Sequence, residues 1–316
     1  MSARSLPPEL QDAVENLIGG EGGGLRGSAA QLRAAYESAR SSSDVSVEAY
    51  LATRLPATFA AISRVFELVA EVAPDFEPQS LLDVGAGPGT ASWAAVEAWP
   101  SLAQVTLVER DSRFADMAAG FLTASSHVAL SAAQIERADM AKLEGKAELV
   151  VAAYVLAEQR ETMAKELALR LWEACQGLLI IVEPGTPAGF VRIRAARQAL
   201  LEAGGFAMAP CTHSEQCPMV GDDWCHFKTR LQRSRLHMQA KGATVPFEDE
   251  SFSFIAVSRQ KRDLPQGRVL SPPAINKVGT SLKLCGHGGV EQLVIASRDK
   301  AAYKLSKKKS WGDVWG

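Results

Sequence analysis

The sequence predicts an α/β chain built on a doubly wound parallel sheet, and three observations carry that prediction. After Pro78, short apolar runs alternate with amphipathic stretches, the rhythm of strands that cross over through helices. The first of these runs delivers a glycine-rich turn, LLDVGAGPGT, directly before a helical stretch. The composition, 47% hydrophobic and 22% charged over 316 residues, is globular, and the length suits one large domain with additions or two domains.

The elements follow in order. From Pro8 to about Ala73 the pattern is helical, with Leu10, Val14, Leu17 and Ile18, and later Phe59, Ile62, Phe66 and Val69, at three- and four-residue steps. EGGGLRG is a joint between them, Asp44 or Ser46 is the expected N-cap of the second stretch, and Glu48 lies in its first turn. Residues 1–77 therefore read as a small helical bundle or lid, closed by Pro74 and Pro78. Strands are expected at Ser80–Val84 and residues 104–109, 149–153 and 177–183, with helices at residues 90–99, 113–124 and Glu161–Ala174 between them. A further helix after Pro187 runs through Ala195 and Leu200 and stops at Gly204 and Gly205. Residues 206–248 break the rhythm with clustered Cys, His and Pro and read as a cysteine-rich insertion, before residues 252–257 resume as a strand and close a domain spanning 78–259. Residues 260–316, rich in Pro and Gly turns, read as a small β-rich, basic extension.

Charge and apolar runs bound the partners. Residues 226–316 hold 17 Lys and Arg against 7 Asp and Glu, an excess of +10, and the remainder holds 17 against 29, a deficit of −12, returning the total of −2. A basic end on an acidic body suits a phosphate-rich partner. No run approaches the roughly 18 apolar residues of a membrane-spanning helix. The opening MSARSLPPELQDAVENLIGG, with Pro7, Pro8 and three carboxylates, suits neither a secretory signal nor a transit peptide, so a bacterial-type cytoplasmic protein is expected.

Gly85, Gly87 and Gly89 occupy alternate positions where a strand turns into a helix, which requires positive φ and leaves room for a ligand against the backbone. The spacing is GxGxG, one residue short of the dinucleotide pattern, so a nicotinamide cofactor is the lesser alternative. Asp83 precedes the loop, Glu109 ends the next strand where a carboxylate accepts ribose hydroxyls, and Asp139 with Met140 follows where an acidic and an apolar side chain meet an adenine. Over residues 80–258 this set resembles the class I S-adenosylmethionine-dependent methyltransferases, which implies S-adenosylmethionine as the cofactor. The strand at Leu149 ends in AAYVLAE, without the Asn/Asp-Pro-Pro-aromatic motif of amino-directed nucleic-acid methyltransferases and without a Pro-Cys pair. Tyr154, Glu158 and Gln159 are left as catalytic candidates, against the reading that they merely begin a helix, and Glu183-Pro184-Gly185 lies on the other side of the pocket.

Cys211, Cys217 and Cys225 lie within fifteen residues, Cys285 follows in LKLCGHGG, and Cys175 in LWEACQG reads as core packing. The separations are wide for a zinc pair, and the flanking Pro210 and Pro218 favour an iron–sulfur cluster. Zinc with one or more of His213, His226 and His287, or no metal, stays open. The glycine loop, EPGTPAGF, CTHSEQCP, WCHF, LCGHGG and the terminal WGDVW together resemble the methyltransferase-like small-subunit assembly factors of mitochondrial ribosomes and their bacterial relatives, over most of residues 50–316. That resemblance implies a 4Fe–4S cluster on Cys211, Cys217, Cys225 and Cys285 and association with the small ribosomal subunit or its rRNA. An rRNA methyltransferase is the favoured expectation; a non-catalytic assembly factor that binds S-adenosylmethionine and rRNA is the alternative. A small-molecule methyltransferase is third, because it leaves the basic end without a purpose. Lys307, Lys308 and Lys309 are the expected phosphate contacts, while Trp311 and Trp315 stack on bases or, the favoured option, pin the chain end.

Overall fold

Helix α1 (Pro8–Ile18) opens the chain because Leu10, Val14 and Ile18 form one buried stripe, and Gly19, at φ 61°, ends it. The computed structural model describes residues 3–19, 46–156 and 161–316. Asp44 and the EGGGLRG joint lie outside the described residues. Ser46 is the N-cap, its hydroxyl accepting from the Ala49 amide, and Val47–Ala49 runs through a π-helical turn, Tyr50–Arg54, into α2 (Leu55–Ala70). Phe59, Ile62, Phe66 and Val69 are buried on α2 as their spacing predicts. Their face meets α3 (Thr90–Ala98) and the far end of the main sheet, so α2 is a covering layer of the sheet.

The main sheet comprises β1 (Ser80–Val84), β2 (Gln104–Val108), β3 (Gln134–Glu136), β4 (Ala147–Ala153), β5 (Cys175–Pro184), β6 (Phe206–Ala209), β7 (Phe227–Gln232) and β8 (Phe247–Ser258). Its order is β3-β2-β1-β4-β5-β8-β6, with β7 paired to the first half of β8. The first five strands are parallel, and β8 runs antiparallel to β5. Connections α3, α4 (Ser112–Thr123), α5 (Glu161–Ala174) and α6 (Pro187–Glu202) cover the faces. This coverage explains why Leu179, Ile180, Ile181 and Val182 form one fully buried run without alternation. The strand order reverses between β1 and β4, which opens a crevice at their carboxyl ends. The architecture is a doubly wound, Rossmann-like α/β sheet, as the sequence predicts.

Two differences have physical causes. Residues 206–248, expected as an insertion, supply β6 and β7 to the main sheet and a short helix, α7 (Arg235–Lys241). The buried positions of β7 are Phe227, Thr229 and Leu231, so a period of two is present, but one of its three inward residues is polar and the apolar signal is diluted. Cys175, expected at the end of a helix, opens β5 instead; its packing role stands, at 2% exposure.

The C-terminal segment folds as a second, antiparallel sheet of β9 (Gly267–Val269), β10 (Ala274–Ile275), β11 (Gly279–Gly286), β12 (Gly289–Ala296) and β13 (Val314–Trp315), with α8 (Lys300–Ser306) against it. Val269, Leu282, Leu284 and Ile295 form its small core. Among the described residues no helix is long and apolar enough to cross a membrane.

Candidate functional site

The glycine loop stands at the carboxyl end of β1, beside the crevice. Gly85, Gly87 and Gly89 have φ of 68°, 54° and 83°, a backbone that L side chains rarely adopt. The three positions differ in what surrounds them. A Cβ on Gly85 would stand 2.2 Å from Val155 Cγ1, whereas among the described residues one on Gly87 would meet only the Tyr50 hydroxyl, at 3.7 Å. Gly85 is therefore held by protein packing, and Gly87 borders open space under the π-helical turn.

Carboxylates brace this loop. Asp83 is 1% exposed and accepts from the Ser92 amide at 3.0 Å and the Ser92 hydroxyl at 2.8 Å, tying β1 to the first turns of α3. Burial pushes its carboxyl up to about 7, against the Ser92 hydrogen bonds and with a further rise from Glu109. Glu109 accepts from the Gly87 amide at 2.8 Å and the Asp111 amide at 2.7 Å, so the expected ribose acceptor also fastens the glycine loop to the start of α4. Met140 lies on the floor, its Cε 3.7 Å from a Cβ built on Gly85, and Asp139 pairs with Arg110 at 3.3 Å on the exposed rim. Beside them opens a cavity of about 240 Å³ lined by Arg110, Asp139, Met140, Met163, Leu167 and Arg170.

At the end of β4, Tyr154 adopts φ 64°, a strained backbone for a bulky residue, and donates its amide to Val182 O at 2.7 Å. Its hydroxyl is buried without a hydrogen-bond partner among the described residues, and the Arg54 guanidinium lies 5.5 Å from its ring centre. Burial, with Glu250 adding and Arg54 opposing, raises the phenol well above its ordinary value and keeps it protonated. Glu183, fully buried at the end of β5, accepts from the Leu156 amide at 2.8 Å and so fixes the chain just after Tyr154. Glu158 and Gln159 lie outside the described residues. Asp83, the three glycines and Glu109 thus belong to one braced turn at the carboxyl end of β1, with Met140 against Gly85, Tyr154 at the end of the neighbouring β4 and Asp139 on the exposed rim.

The cysteines form a second centre. Cys211 follows β6, Cys217 lies in the next loop, Cys225 precedes β7 and Cys285 is on β11, yet all four line one cavity together with Arg197 and His213. All five cysteines of the chain are free thiols. Burial, then the neighbouring Cys211, Cys285 and Cys217, raises Cys225 well above its ordinary value, and burial pushes Cys285 up to about 12. His213 is buried at the cavity, its ring 6.2 Å from that of His287. His226 stands apart, stacked on Trp224 with its Nδ1 3.1 Å from Trp224 O. Among the described residues no group of three or more His, Cys, Asp or Glu side chains stands ready to hold a single metal ion.

The basic end is more internally paired than its charge count suggests. Arg230 with Asp249, Arg233 and Lys241 with Glu248, Arg262 with Asp75, and Lys283 with Asp223 are ion pairs. Lys307 and Lys308 are exposed, and Lys309 is half-buried. Asp313, the nearest carboxylate in sequence, is engaged by Arg64 at 3.0 Å and by the Ser310 amide. Trp311 packs edge-on to His226, and Trp315 pairs with Gly267 in the second sheet, so both tie down the chain end.

The family described as mitochondrial small ribosomal subunit Rsm22 matches residues 44–316. The chain belongs to that family. Among curated relatives, the human mitochondrial ribosome assembly protein METTL17 is 26% identical over 284 residues, covering 84% of this chain and 61% of the relative. The mitochondrial Rsm22-cox11 tandem protein 2 of Schizosaccharomyces pombe is 24% identical over 336 residues, covering 88% of this chain and 44% of the relative. The chain spans less than two thirds of either relative's length. A solved structure of magnesium protoporphyrin IX methyltransferase from Synechocystis, with bound SAM, is 14% identical, covers 74% of this chain and 97% of that one, and superposes with a TM-score of 0.44.

Membership corrects one expectation. The Rsm22 family and these relatives are mitochondrial, which overturns the bacterial-type cytoplasmic reading. The expectation rested on residues 1–20, and residues 8–18 of that stretch fold as α1 with Leu10, Val14 and Ile18 buried, so their composition reports packing rather than compartment.

The sequence reading missed Ser92, Tyr50, Arg54, Arg197 and Arg268. A signal for Arg197 was present, because it lies on the stripe of Phe190, Ile193, Ala196 and Leu200, where a charge interrupts the buried face of α6.

Proposed function

We propose that this Rsm22-family chain is a mitochondrial small-subunit assembly factor that binds S-adenosylmethionine in the crevice, carries a 4Fe–4S cluster on its four converging cysteines and meets rRNA with its basic end. The observation that carries the reading is the loop of residues 85–89, with three glycines at positive φ, open space over Gly87 and a carboxylate, Glu109, at its side. In this reading Gly87 leaves room for the amino-acid end of the cofactor, Glu109 turns toward the ribose hydroxyls, and Met140 meets the adenine. Asp83 holds the loop through Ser92.

The residues around the cysteine cavity fit a cluster. Four thiols from separate segments meet there, and their mutual repulsion as thiolates is relieved by the iron core that would join them. Such a cluster supplies a covalent tie between the main sheet and the second sheet, and residues Cys211, Cys217, Cys225 and Cys285 would hold it.

Methyl transfer is the second reading, and Tyr154 favours it. When bound, the cofactor supplies an electrophilic methyl group. A phenol held protonated and unpartnered at the end of β4 would orient an incoming acceptor by a hydrogen bond. Two measurements test these readings. Crosslinking in cells followed by sequencing of attached RNA is expected to give a small-subunit rRNA footprint, and a profile without rRNA enrichment overturns the assembly reading. Transfer of a labelled methyl group to small-subunit RNA, lost in Tyr154→Phe, would establish catalysis; no label in RNA from the parent protein removes it.

A further inference from the structure

Two arginines are buried against the four cysteines, and hydrogen bonding to the backbone does not account for their charge. Arg197, on α6, is 3% exposed. It donates from Nε to Cys211 Sγ at 3.3 Å and from one terminal nitrogen to the carbonyls of His213 and Glu215 at 3.0 and 2.7 Å. Arg268, on β9, is fully buried and donates to Pro210 O at 3.0 Å and Gly312 O at 2.8 Å. Its second terminal nitrogen is buried without a hydrogen-bond partner among the described residues, and the Glu71 carboxylate, 3.5 Å from the first, is itself 40% exposed. Burying a guanidinium costs several kcal/mol unless a counter-charge and a full set of acceptors accompany it. Neutral thiols supply neither.

We infer that Arg197 and Arg268 are the outer-sphere counter-charges of the cluster, donating N–H groups to its sulfur ligands and so favouring both its retention and its reduced state. The inference rests on the cluster reading above. Four thiolates around an oxidised 4Fe–4S core leave two net negative charges, and the two guanidinium groups match them. Reduction adds one electron and breaks no bond, so the negative charge at the site grows by one, and nearby positive charge stabilises the product more than the reactant. Arg268, the register partner of Cys285, also couples the centre to the chain end, because its guanidinium holds both Pro210 O, next to Cys211, and Gly312 O, between the lysine run and β13.

The test compares Arg197→Lys with Arg197→Met, and Arg268→Lys with Arg268→Met, in the full chain purified anaerobically and titrated with dithionite. Within each pair both variants lose the guanidinium fork to the backbone, and only the Met variant also loses the charge. Each Met variant is expected to shift the reduction equilibrium about tenfold toward the oxidised form, about 59 mV for a one-electron couple, and to lose iron to a chelator severalfold faster than its Lys counterpart. Equal midpoints and equal iron loss within the Lys and Met pairs overturn the inference while leaving the cluster intact. A parent protein free of iron and acid-labile sulfide overturns the cluster reading and this inference with it. If Arg268→Met does not fold, the Arg197 pair decides.

Discussion

Replacing Gly87 by Ala should separate cofactor binding from folding, because the loop's glycines are constrained for different reasons. Alanine at φ 54° costs about 1–2 kcal/mol of backbone strain. Among the described residues the new Cβ meets nothing nearer than the Tyr50 hydroxyl at 3.7 Å, so packing against them adds no further penalty. Gly85→Ala pays a similar backbone cost at φ 68°, and its Cβ would also collide with Val155 Cγ1 at 2.2 Å. Overpacking of that kind adds about 1–3 kcal/mol. Thermal melts should therefore rank Gly85→Ala well below Gly87→Ala, with Gly87→Ala lowered by about 2–4 °C for each kcal/mol lost. Calorimetry with S-adenosylmethionine should show the converse selectivity. The methyl of Gly87→Ala fills the space assigned to the cofactor, and affinity should fall at least about tenfold, or 1.4 kcal/mol, in a protein that is still folded. A Gly87→Ala protein that melts slightly early yet binds the cofactor as the parent does would refute the assignment of that space.

Further outcomes follow from other parts of the molecule. Burial pushes the Glu248 carboxyl up, but hydrogen bonds from His237 and Lys241 more than offset this and hold it well below the usual carboxylate range. A carboxylate depressed in the folded state contributes stability that is present above about pH 4.5 and lost as pH falls further. Glu248→Gln should therefore cost about 1–3 kcal/mol at pH 7 and less near pH 3 in urea titrations, where part of the contribution is gone; an equal cost at both pH values would count against the pairing. Cys285→Ser should abolish the iron and the broad visible absorption of anaerobic preparations, expected at about four irons per chain, whereas Cys175→Ser, at the start of β5, should leave both unchanged. Changing Lys307, Lys308 and Lys309 together to Gln should weaken small-subunit RNA binding by about 1–3 kcal/mol at low salt and flatten its salt dependence. An unchanged salt slope would remove those lysines from the interface.

The parallel part of the fold was legible in the sequence because its determinants are local. Four of the five parallel strands, β1, β2, β4 and β5, are short apolar runs, whereas β3 is Gln-Ile-Glu and was not expected; side-chain caps mark two of the crossover helices, Asp111 before α4 and Thr186 before α6. The glycine spacing likewise located the crevice, since positive φ is a property of three individual residues. The four cysteines could be counted from the sequence, but their convergence depends on β8 threading between β5 and β6 and on β9 holding β11 beside Pro210. Tertiary structure alone decided that Glu109 bonds the Gly87 amide, that Tyr154 is strained, and that the tryptophans near the C-terminus are packed. It also decided that Arg197 and Arg268 are buried beside thiols, because the cost of burying a charge is set by groups distant in sequence, and no local pattern records which groups those are.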